Sequence, residues 1–344
     1  MRGLRLQDVA DKAGVSVSTV SNVVRDRPHV SAKMRHKVQT AIDELGYRPN
    51  RVARQLATGR TGFIALAFMQ ITNPYFAELG QMMSRVAERA GYRVLFEETG
   101  ASLEAERELL TDLDSSLVDG ILLQPSAISQ RELARTRTDV PLVLLGEASA
   151  PLTLDHVMID NVAAAREITA DLIAAGCRRI AFVGHEETAL SETSRQRLLG
   201  YQEALQAAGL GVDPARLVAF DAAPVGTVPS AHLPIGRALD RGLDADALVC
   251  RDDLVAFGAI RAAQERGLRI PADLAITGWD NTWASALAFP GLTTVSPNLA
   301  TLASTAFGLL AERIDGYAGA GRHVVTSHSI VRRESSPPPA AGGE

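Results

Sequence analysis

From residue 63 to residue 277 the chain alternates between short apolar segments and segments with helical spacing. We predict strands at 63–69, 92–96, 120–123, 142–145, 156–159, 179–183, 218–220, 247–250 and 274–277, and helices at 75–90, 103–113, 163–175, 194–208 and 254–266. Continuously apolar strands that alternate with helices are typical of parallel sheets covered on both faces. The fold class is therefore α/β, and so long a series favours two doubly wound lobes.

The first 47 residues lack this alternation and predict three short helices. Val9, Ala10 and Ala13 share one helical face, and Ala10 is small enough for a second helix to cross closely. Gly14 suits a tight turn with positive φ, and Ser16 can cap the second helix. A third helix is expected at 31–45, ending at Gly46. This pattern indicates an all-α helix-turn-helix headpiece.

Charge divides the chain in the same place. The first 60 residues carry 12 Lys/Arg and 5 Asp/Glu, a net charge of +7. The rest carries 35 − 12 = 23 basic and 40 − 5 = 35 acidic residues, a net charge of −12. A basic first segment on an acidic body is expected where one domain meets phosphate and the other does not. An ordinary three-helix bundle with no DNA role is the alternative.

Several motifs resemble the lactose-repressor (LacI/GalR) family of bacterial transcription regulators. The motifs are DVADKAGVSVSTVSNVVRD, VSAKMRHKVQTAIDELGYRPNRVARQLATGRTG, GWDN and PGLTTV, and they occur in the order of the family. The resemblance runs from about residue 4 to residue 334. It implies a homodimeric repressor that binds a palindromic double-stranded DNA operator through the headpiece. It also implies a periplasmic-binding-protein-like domain that binds a small-molecule effector.

The resemblance divides the chain into a headpiece (1–49), a hinge helix with its linker (50–61) and an effector-binding and dimerisation domain (62–334). We expect lobe 1 at about 62–160 and 292–318, and lobe 2 at about 161–291 and 319–334. The motif PGLTTV resembles the segment at which the family's chain crosses back into lobe 1. We therefore expect lobe 1 to contain a strand at this motif and the helix that follows it at 299–314. The Pro/Gly-rich tail, 335–344, is expected to be disordered.

The second helix of the headpiece is the expected recognition helix. Its exposed side chains are short, and Asn22 can pair with adenine in the major groove. The residues predicted to contact DNA are Leu6, Ser16, Val17, Ser18, Thr19, Ser21, Asn22, Arg25, His29, Asn50, Arg51, Ala53, Arg54 and Leu56. Two positions depart from the family, which commonly has Thr where Arg5 stands and Arg where Asn22 stands. We therefore expect a weaker cap on the first helix and an altered base preference. The operator sequence of a relative accordingly does not predict the operator of this protein.

Residues 50–57 match the family's hinge helix. A helix of eight residues is unstable alone in water. The resemblance implies that it folds only on DNA, beside its twin from the second subunit, with Leu56 wedged into a minor-groove step. The alternative is that Leu56 packs on the effector domain.

Ligands in open α/β sheets bind beyond the carboxyl ends of the strands. The residues predicted there to contact the effector are Asn73, Tyr75, Phe76, Glu147, Asp160, Arg197, Asp221, Asp252, Asp280 and Trp283. Carboxylates and guanidinium groups can hold hydroxyl groups, and aromatic rings can stack on sugars. A sugar or sugar derivative is the expected effector, with a nucleoside as the alternative. The resemblance assigns effector contacts to Arg197 and Asp280 in particular.

Some of these positions also suit structural roles. Phe76 suits the core, Trp279 is expected to be structural, and Arg195 suits a solvated surface charge. Asp253 is expected to cap the following helix. The family usually has Asn at the position of Asp252, so that residue and the neighbouring Arg251 change the donor pattern of the site.

Other functions compete with that of a DNA-binding regulator. The body alone would suit an exported solute-binding protein, but the expected lack of a signal peptide and the attached headpiece argue against it. For an enzyme we find no phosphate loop, nucleophile elbow or metal cluster in the sequence, so we expect no cofactor or metal. Cys177 and Cys250 fit buried positions in a reducing cytoplasm, and no membrane association is expected. The sequence does not decide between repression and activation of transcription. Because there are no leucine heptads beyond Val331, we expect no tetramerising coiled coil.

Overall fold

The computed structural model describes residues 4–24, 30–47, 59–146, 150–186, 190–219 and 228–338, with the backbone alone at 228–230. It divides into two compact units, Met1–Gly62 and Phe63–Glu344. Some residues with predicted contacts lie outside the described ranges: Arg25, His29, Asn50, Arg51, Ala53, Arg54, Leu56, Glu147 and Asp221.

The first unit contains three helices around a small apolar core. They are α1 (Leu6–Ala13), α2 (Val17–Val24) and α3 (Ala32–Leu45). Ala10 is fully buried where the helices meet, together with Val9, Val20 and Val38. The predicted three-helix headpiece and the role of Ala10 in its core are confirmed.

The predicted turn and cap residues of this unit are also confirmed. Gly14 has a φ of 55° and Gly46 a φ of 63°, in the left-handed region that favours glycine. Ser16 Oγ accepts a hydrogen bond from the Thr19 amide at 3.2 Å. Ser31 Oγ accepts one from the Met34 amide at 3.3 Å, so that α3 begins one residue after its cap.

The second unit holds two six-stranded sheets. The first sheet has the order β11-β5-β4-β3-β1-β2, with all neighbours parallel. Its strands are β1 (Phe63–Phe68), β2 (Arg93–Glu98), β3 (Ile121–Leu123), β4 (Leu142–Leu145), β5 (Asp155–Ile159) and β11 (His323–Thr326). We call this sheet and the helices packed on it lobe 1.

The second sheet has the order β12-β10-β9-β8-β6-β7, and only β12 runs antiparallel to its neighbour. Its strands are β6 (Ile180–His185), β7 (Leu217–Ala219), β8 (Ala247–Cys250), β9 (Ala275–Trp279), β10 (Thr293–Pro297) and β12 (His328–Val331). We call this sheet and its helices lobe 2. The predicted α/β class with two doubly wound lobes is confirmed.

Helices cover both faces of each sheet. They are α4 (Pro74–Arg89), α5 (Leu103–Asp112), α6 (Gln130–Leu133), α7 (Asn161–Ala174), α8 (Glu192–Ala207), α9 (Val228–Asp240), α10 (Asp253–Glu265), α11 (Trp283–Leu287) and α12 (Leu299–Ile314), with a 3-10 turn at Pro214–Arg216. Helices α7 and α8 approach so closely that a Cβ on Gly200 would lie 2.1 Å from the carbonyl oxygen of Val162. Glycine is therefore required at this crossing.

Two strands lie in the opposite lobe from the one we predicted. Strand β10 pairs with β9 in lobe 2, and β11 pairs with β5 in lobe 1. The expected crossover at about residue 292 was therefore wrong for the strand, although α12 does pack on the lobe 1 core through residues such as Phe307 and Leu310. The chain crosses between lobes three times, near residues 160, 298 and 327. Apolar composition suits either sheet, so it did not reveal the partner strands.

Ser335, the first residue of the predicted disordered tail, is ordered in the structure. Ser335 is fully buried, and its hydroxyl donates a hydrogen bond to the Ile276 carbonyl at 2.6 Å. The same oxygen accepts a hydrogen bond from the Thr293 amide at 2.8 Å. Residue 335 therefore belongs to lobe 2 rather than to a disordered tail.

Candidate functional site

Helix α2 presents the short side chains expected of a recognition helix. Val17, Ser18 and Asn22 are exposed, whereas Thr19 and Ser21 are half-buried. Ser16 Oγ lies 2.8 Å from the hydroxyl oxygens of Ser18 and of Thr19, which orders the first turn of the helix. The surface offers small polar groups and one exposed carboxamide, which suits hydrogen bonding to base edges.

The beginning of α1 lacks a side-chain cap. Arg5 stands at the cap position, and its guanidinium has no acceptor to offer a helix amide. Instead, the Asp8 carboxylate accepts a hydrogen bond from the Arg5 amide at 2.6 Å. The expected weakness of this cap is therefore confirmed. Leu6, which follows, is half-buried and packs against the headpiece core.

Arg197 is the central cation at the carboxyl edge of the lobe 2 sheet. It projects from α8, is buried, and its Nε donates a hydrogen bond to Asn161 Oδ1 at 2.9 Å. Its Nη1 donates to the carbonyl oxygen of Arg251. The guanidinium also lies over the buried ring of Trp279, the last residue of β9. The expected structural role of Trp279 is thus confirmed, and Arg197 is fixed in orientation by three neighbours.

The turn after β9 carries the GWDN motif in an unusual backbone conformation. Asp280 has a φ of 105° and Asn281 a φ of 50°, both in the region that favours glycine. The Asp280 amide donates to the Val295 carbonyl at 2.8 Å, and the Asn281 carboxamide contacts Ser296 and Arg333. Because strained backbone persists only where its surroundings hold it, this turn is a rigid mount for the Asp280 carboxylate.

Asp252, and not Asp253, caps α10. Asp252 Oδ1 accepts a hydrogen bond from the Val255 amide at 2.8 Å, and its Oδ2 accepts one from Arg251 Nε at 3.1 Å. The expectation that Asp253 is the cap was therefore wrong. The two carboxylates are adjacent in sequence, so composition alone did not separate their roles.

Asp253 is instead a fully buried hydrogen-bond acceptor within lobe 2. Its carboxylate accepts hydrogen bonds from the Thr282 amide at 2.9 Å, from the Thr294 hydroxyl at 2.7 Å, and from the hydroxyls of Thr282 and Ser285. Burial raises the pKa of Asp253 to about 6, although these donors lower it in part. The residue joins α10 to the segment that follows β9 and to β10 itself.

The effector contacts predicted after β1 in lobe 1 differ in how deeply their side chains are buried. Asn73 Oδ1 accepts a hydrogen bond from the Tyr75 amide at 3.0 Å and so caps α4. Phe76 lies in the lobe 1 core, with its ring stacked on that of Phe68 at 5.3 Å between centroids. Tyr75 is half-buried with its ring edge against Phe76. Of these three residues, Asn73 and Tyr75 are partly exposed at this edge, whereas Phe76 is buried.

Three polar residues at the same edge of lobe 1 were missed by the sequence analysis. Gln70, Thr99 and Gln124 follow β1, β2 and β3, which are neighbours in the sheet. Within the described residues, a buried side-chain oxygen of each has no hydrogen-bond partner. Buried polar oxygens without partners carry a free-energy cost that a ligand's donors would remove. Inspection of every residue just after a strand would have found them.

Two contacts complete the description of the predicted site. Asp160 Oδ1 accepts a hydrogen bond from the Ala163 amide at 2.8 Å and caps α7, with its side chain exposed at the border between the lobes. Trp283 is 65% exposed, and its amide donates to Glu78 Oε1 of α4 at 2.9 Å. The hydrogen bond from Trp283 to Glu78 joins lobe 2 to lobe 1. Trp283 therefore lies at the rim of the predicted site and not in its interior.

Comparison with known proteins matches both units. Residues 5–50 match the model for bacterial regulatory proteins of the lacI family, and residues 169–336 match that for a periplasmic binding protein-like domain. The chain is 31% identical to the HTH-type transcriptional regulator RegA of Clostridium saccharobutylicum, over 96% of this chain and 98% of that protein.

The chain belongs to the LacI family.

Solved structures of LacI-family proteins have the same fold. A Lac repressor dimer bound to operator and the anti-inducer ONPF superposes with a TM-score of 0.81 at 27% identity, covering 97% of this chain and 99% of that one. A complex of the regulator CelR with cellobiose gives 0.69 at 29% identity, covering 97% and 100%. The LacI-family chain described here is thus a DNA-binding transcriptional regulator and not an enzyme.

Neither a membrane-spanning helix nor a metal site is found in the described part of this LacI-family chain. No helix there combines the length and apolar character that would cross a membrane. Among the same residues, no group of three His, Cys, Asp or Glu side chains could hold a metal ion.

Proposed function

We propose that this LacI-family protein is a dimeric repressor that binds a palindromic operator and is controlled by a sugar or sugar derivative. The observation that supports this proposal best is the coexistence of an exposed recognition surface on α2 with a polar cleft edge around Arg197 and Asp280. Operator binding would take place in the bacterial cytoplasm, where the chromosome is.

DNA recognition would depend on the exposed face of α2. Val17 and Ser18 stand at the amino-terminal end of this helix, the end that contacts base edges in helix-turn-helix proteins. Asn22 would contribute a bidentate contact to adenine. Leu56 and the arginines of the hinge would add the minor-groove contacts that the family resemblance implies.

The effector would be held between polar groups of the two lobes. On the lobe 2 side are Arg197 and Asp280, which suit hydroxyl groups as paired donors and acceptors. On the lobe 1 side, the oxygens of Gln70, Thr99 and Gln124 would accept hydrogen bonds from further hydroxyls. Ligand closure of the lobes would then change the operator-binding competence of the dimer.

A second copy of the chain would cover exposed apolar side chains in both lobes. Leu95 and Phe96 are exposed on the edge strand β2, and Leu287 and Phe289 are exposed beyond β9, with Phe289 at 91%. Large exposed apolar groups of this kind are typical of interfaces. The Lac repressor dimer is a homodimeric precedent within the family. We expect Phe289→Glu to shift the sedimentation equilibrium from dimer towards monomer.

The test of the proposed function is selection of bound DNA from a pool of random duplexes, using the full chain. The selection is repeated with a panel of neutral sugars and nucleosides. We expect a palindromic site whose occupancy changes with one compound. Asn22→Ala should relax the base preference at one position of each half-site. Recovery of unrelated sequences from the selection would refute the proposal.

A further inference from the structure

One buried cation connects two loops at the carboxyl edge of lobe 2. Arg251 directly follows β8, and its side chain is 12% exposed. Its Nη1 donates a hydrogen bond to Glu186 Oε1 at 3.2 Å, and its Nε donates to Asp252 Oδ2 at 3.1 Å. Glu186 directly follows β6, the neighbour of β8. Arg251 is therefore shared between two carboxylates in a partly desolvated position.

Glu186 also accepts hydrogen bonds from two residues at the start of α8, Ser191 and Ser194. Its Oε2 accepts a hydrogen bond from the Ser191 amide at 3.3 Å, and the Ser194 hydroxyl also donates to it. Burial would raise the pKa of Glu186, but Ser194 and Arg251 together keep it below its usual value. The carboxylate is therefore ionised at neutral pH and opposes the charge of Arg251.

Arg251 also remains charged. Burial alone would lower its pKa, but Asp252 and Glu186, with a weaker contribution from Asp280, raise it above its ordinary value. The second guanidinium at this edge, Arg197, is engaged by Asn161, by the Arg251 carbonyl and by the ring of Trp279. Arg251 is therefore opposed by two carboxylates, and Arg197 is held by hydrogen bonds to neutral groups and by an aromatic ring.

The sum of these charges is negative. Among the described residues that surround the two guanidinium groups, Glu186, Asp252 and Asp280 contribute −3, and Arg197 and Arg251 contribute +2, which leaves −1. An anionic group needs a cation that is not already neutralised when it is removed from water. A hydroxyl group has no such requirement and can both donate to carboxylates and accept from guanidinium groups.

We propose that this edge of the cleft accepts an uncharged effector and excludes one that carries a phosphate or carboxylate group, with Glu186 as the positioning residue that enforces the choice. This inference rests on the proposed function, because it assumes that the effector binds at this edge. Glu186 neutralises Arg251 and contacts Ser191 and Ser194 at the start of α8. Its charge, rather than a direct contact, sets the effector class.

The test measures binding of inorganic phosphate to the full chain by isothermal titration calorimetry, at ionic strength held constant with chloride. We compare the wild type with Glu186→Gln and with Glu192→Gln, a matched control on α8 whose partner is the exposed Arg195 at 2.9 Å. Of these three proteins, only Glu186→Gln should bind phosphate saturably, with a dissociation constant at least tenfold below the lower limit that the wild-type titration sets. Adding Arg251→Gln to that variant should abolish the gain.

Asp252→Asn provides a second variant, because it removes another negative charge from the same guanidinium and Asn retains the ability to cap α10. It should gain phosphate binding in the same way if Glu186→Gln does not fold. Saturable phosphate binding to the wild type that Arg251→Gln removes would overturn the proposal. Folded Glu186→Gln and Asp252→Asn proteins that both fail to bind phosphate would also overturn it.

Matched ligand pairs separate this inference from the proposed function. The pairs are glucose with glucose 6-phosphate, cellobiose with cellobionate, and adenosine with adenosine 5′-monophosphate. We expect no anionic member to bind the wild type more tightly than its neutral counterpart, and a tenfold preference for one would overturn the inference. If neither a neutral member nor any sugar of the wider panel binds, the sugar effector of the proposed function is refuted, whereas the phosphate titration still decides the role of Glu186.

Discussion

The guanidinium carbon of Arg197 lies 3.9 Å from the centroid of the Trp279 ring, and both side chains are buried at the carboxyl edge of lobe 2. A desolvated cation–π contact of this kind contributes about 2 kcal/mol. Together with the bonds to Asn161 and to the Arg251 carbonyl, it fixes the guanidinium plane. The guanidinium group is therefore held in one orientation, which would prepare it to bind the proposed effector.

Arg197→Lys keeps the charge but loses the planar fork. We expect effector affinity, measured by calorimetry with the compound that selection identifies, to fall roughly tenfold or more, because one charge-assisted hydrogen bond contributes about 1.5–3 kcal/mol. Operator affinity without ligand should stay unchanged. Arg195→Lys is the control, because Arg195 is exposed and pairs with Glu192. Equal losses in the two variants would contradict the assignment.

The buried carboxylate of Asp253 should make lobe 2 more stable in mildly acidic solution. Its pKa in the folded chain is about 6, above the ordinary value of 3.8. Because the folded state takes up the proton more readily, this group's contribution favours folding at low pH and is lost as the pH rises through 6. Between pH 7 and pH 5 the gain is roughly 1 kcal/mol.

The measurement is urea unfolding of the wild type and of Asp253→Asn at both pH values. The unfolding free energy of the wild type, relative to that of Asp253→Asn, should be roughly 1 kcal/mol greater at pH 5 than at pH 7. Comparison with the variant removes the effect of every other titrating group. Parallel pH profiles for the two proteins would rule out this role of Asp253.

Asp155 has the opposite pH dependence in lobe 1. It is fully buried, and its carboxylate accepts hydrogen bonds from Arg313 Nε and Arg322 Nη2, each at 2.9 Å. Burial would raise the pKa of Asp155, but the two arginines hold it well below its ordinary value. The ionised Asp155 therefore stabilises the fold at pH values above the ordinary pKa of an aspartate. This stabilisation is lost as the pH falls through the lowered pKa of Asp155 in the folded state.

Asp155→Asn leaves two partly buried arginines without their carboxylate. Breaking a buried ion pair from one side costs about 3–5 kcal/mol, which would lower the urea midpoint of unfolding clearly. Asp273→Asn, which breaks the more exposed pair with Arg269, is the control and should change the midpoint little. A midpoint for Asp155→Asn no lower than that of the control would refute the structural role of this cluster.

Leu56 lies outside the described residues, so its role rests on the sequence and on the family resemblance. We predict that Leu56→Ala weakens operator binding by a few kcal/mol at most and leaves non-specific binding nearly intact. Fluorescence anisotropy with an operator duplex and a scrambled duplex gives both values. Equal losses on the two duplexes would favour packing of Leu56 on the effector domain.

The fold was largely predictable because its two units have different hydrophobic periods. Helical spacing around Gly14 and apolar strand runs beginning with β1 are local properties, so they can be recognised without tertiary information. The exchange of β10 and β11 between lobes was not predictable in this way. Both strands have sequences that suit either sheet, and only long-range pairing decides between them.

The candidate site was predicted in part for a similar reason. Arg197 and Asp280 were selected because they occupy recognisable motifs, and the structure places both at the carboxyl edge of the lobe 2 sheet, where their contact with an effector stays a prediction. Asp252 rather than Asp253 caps α10 because of how the chain enters the helix, which sequence does not specify to one residue. Gln70, Thr99 and Gln124 carry no motif, and their importance became visible only from their buried oxygens without partners.

The most direct test of the central claim is the ratio of the dissociation constants of the full chain for its selected palindromic duplex and for a scrambled duplex, at one fixed salt concentration. A sequence-specific regulator should prefer the palindrome by about 10³-fold or more. Asn22→Ala should reduce that ratio, and the identified effector should change it. Equal dissociation constants for the two duplexes would contradict the account.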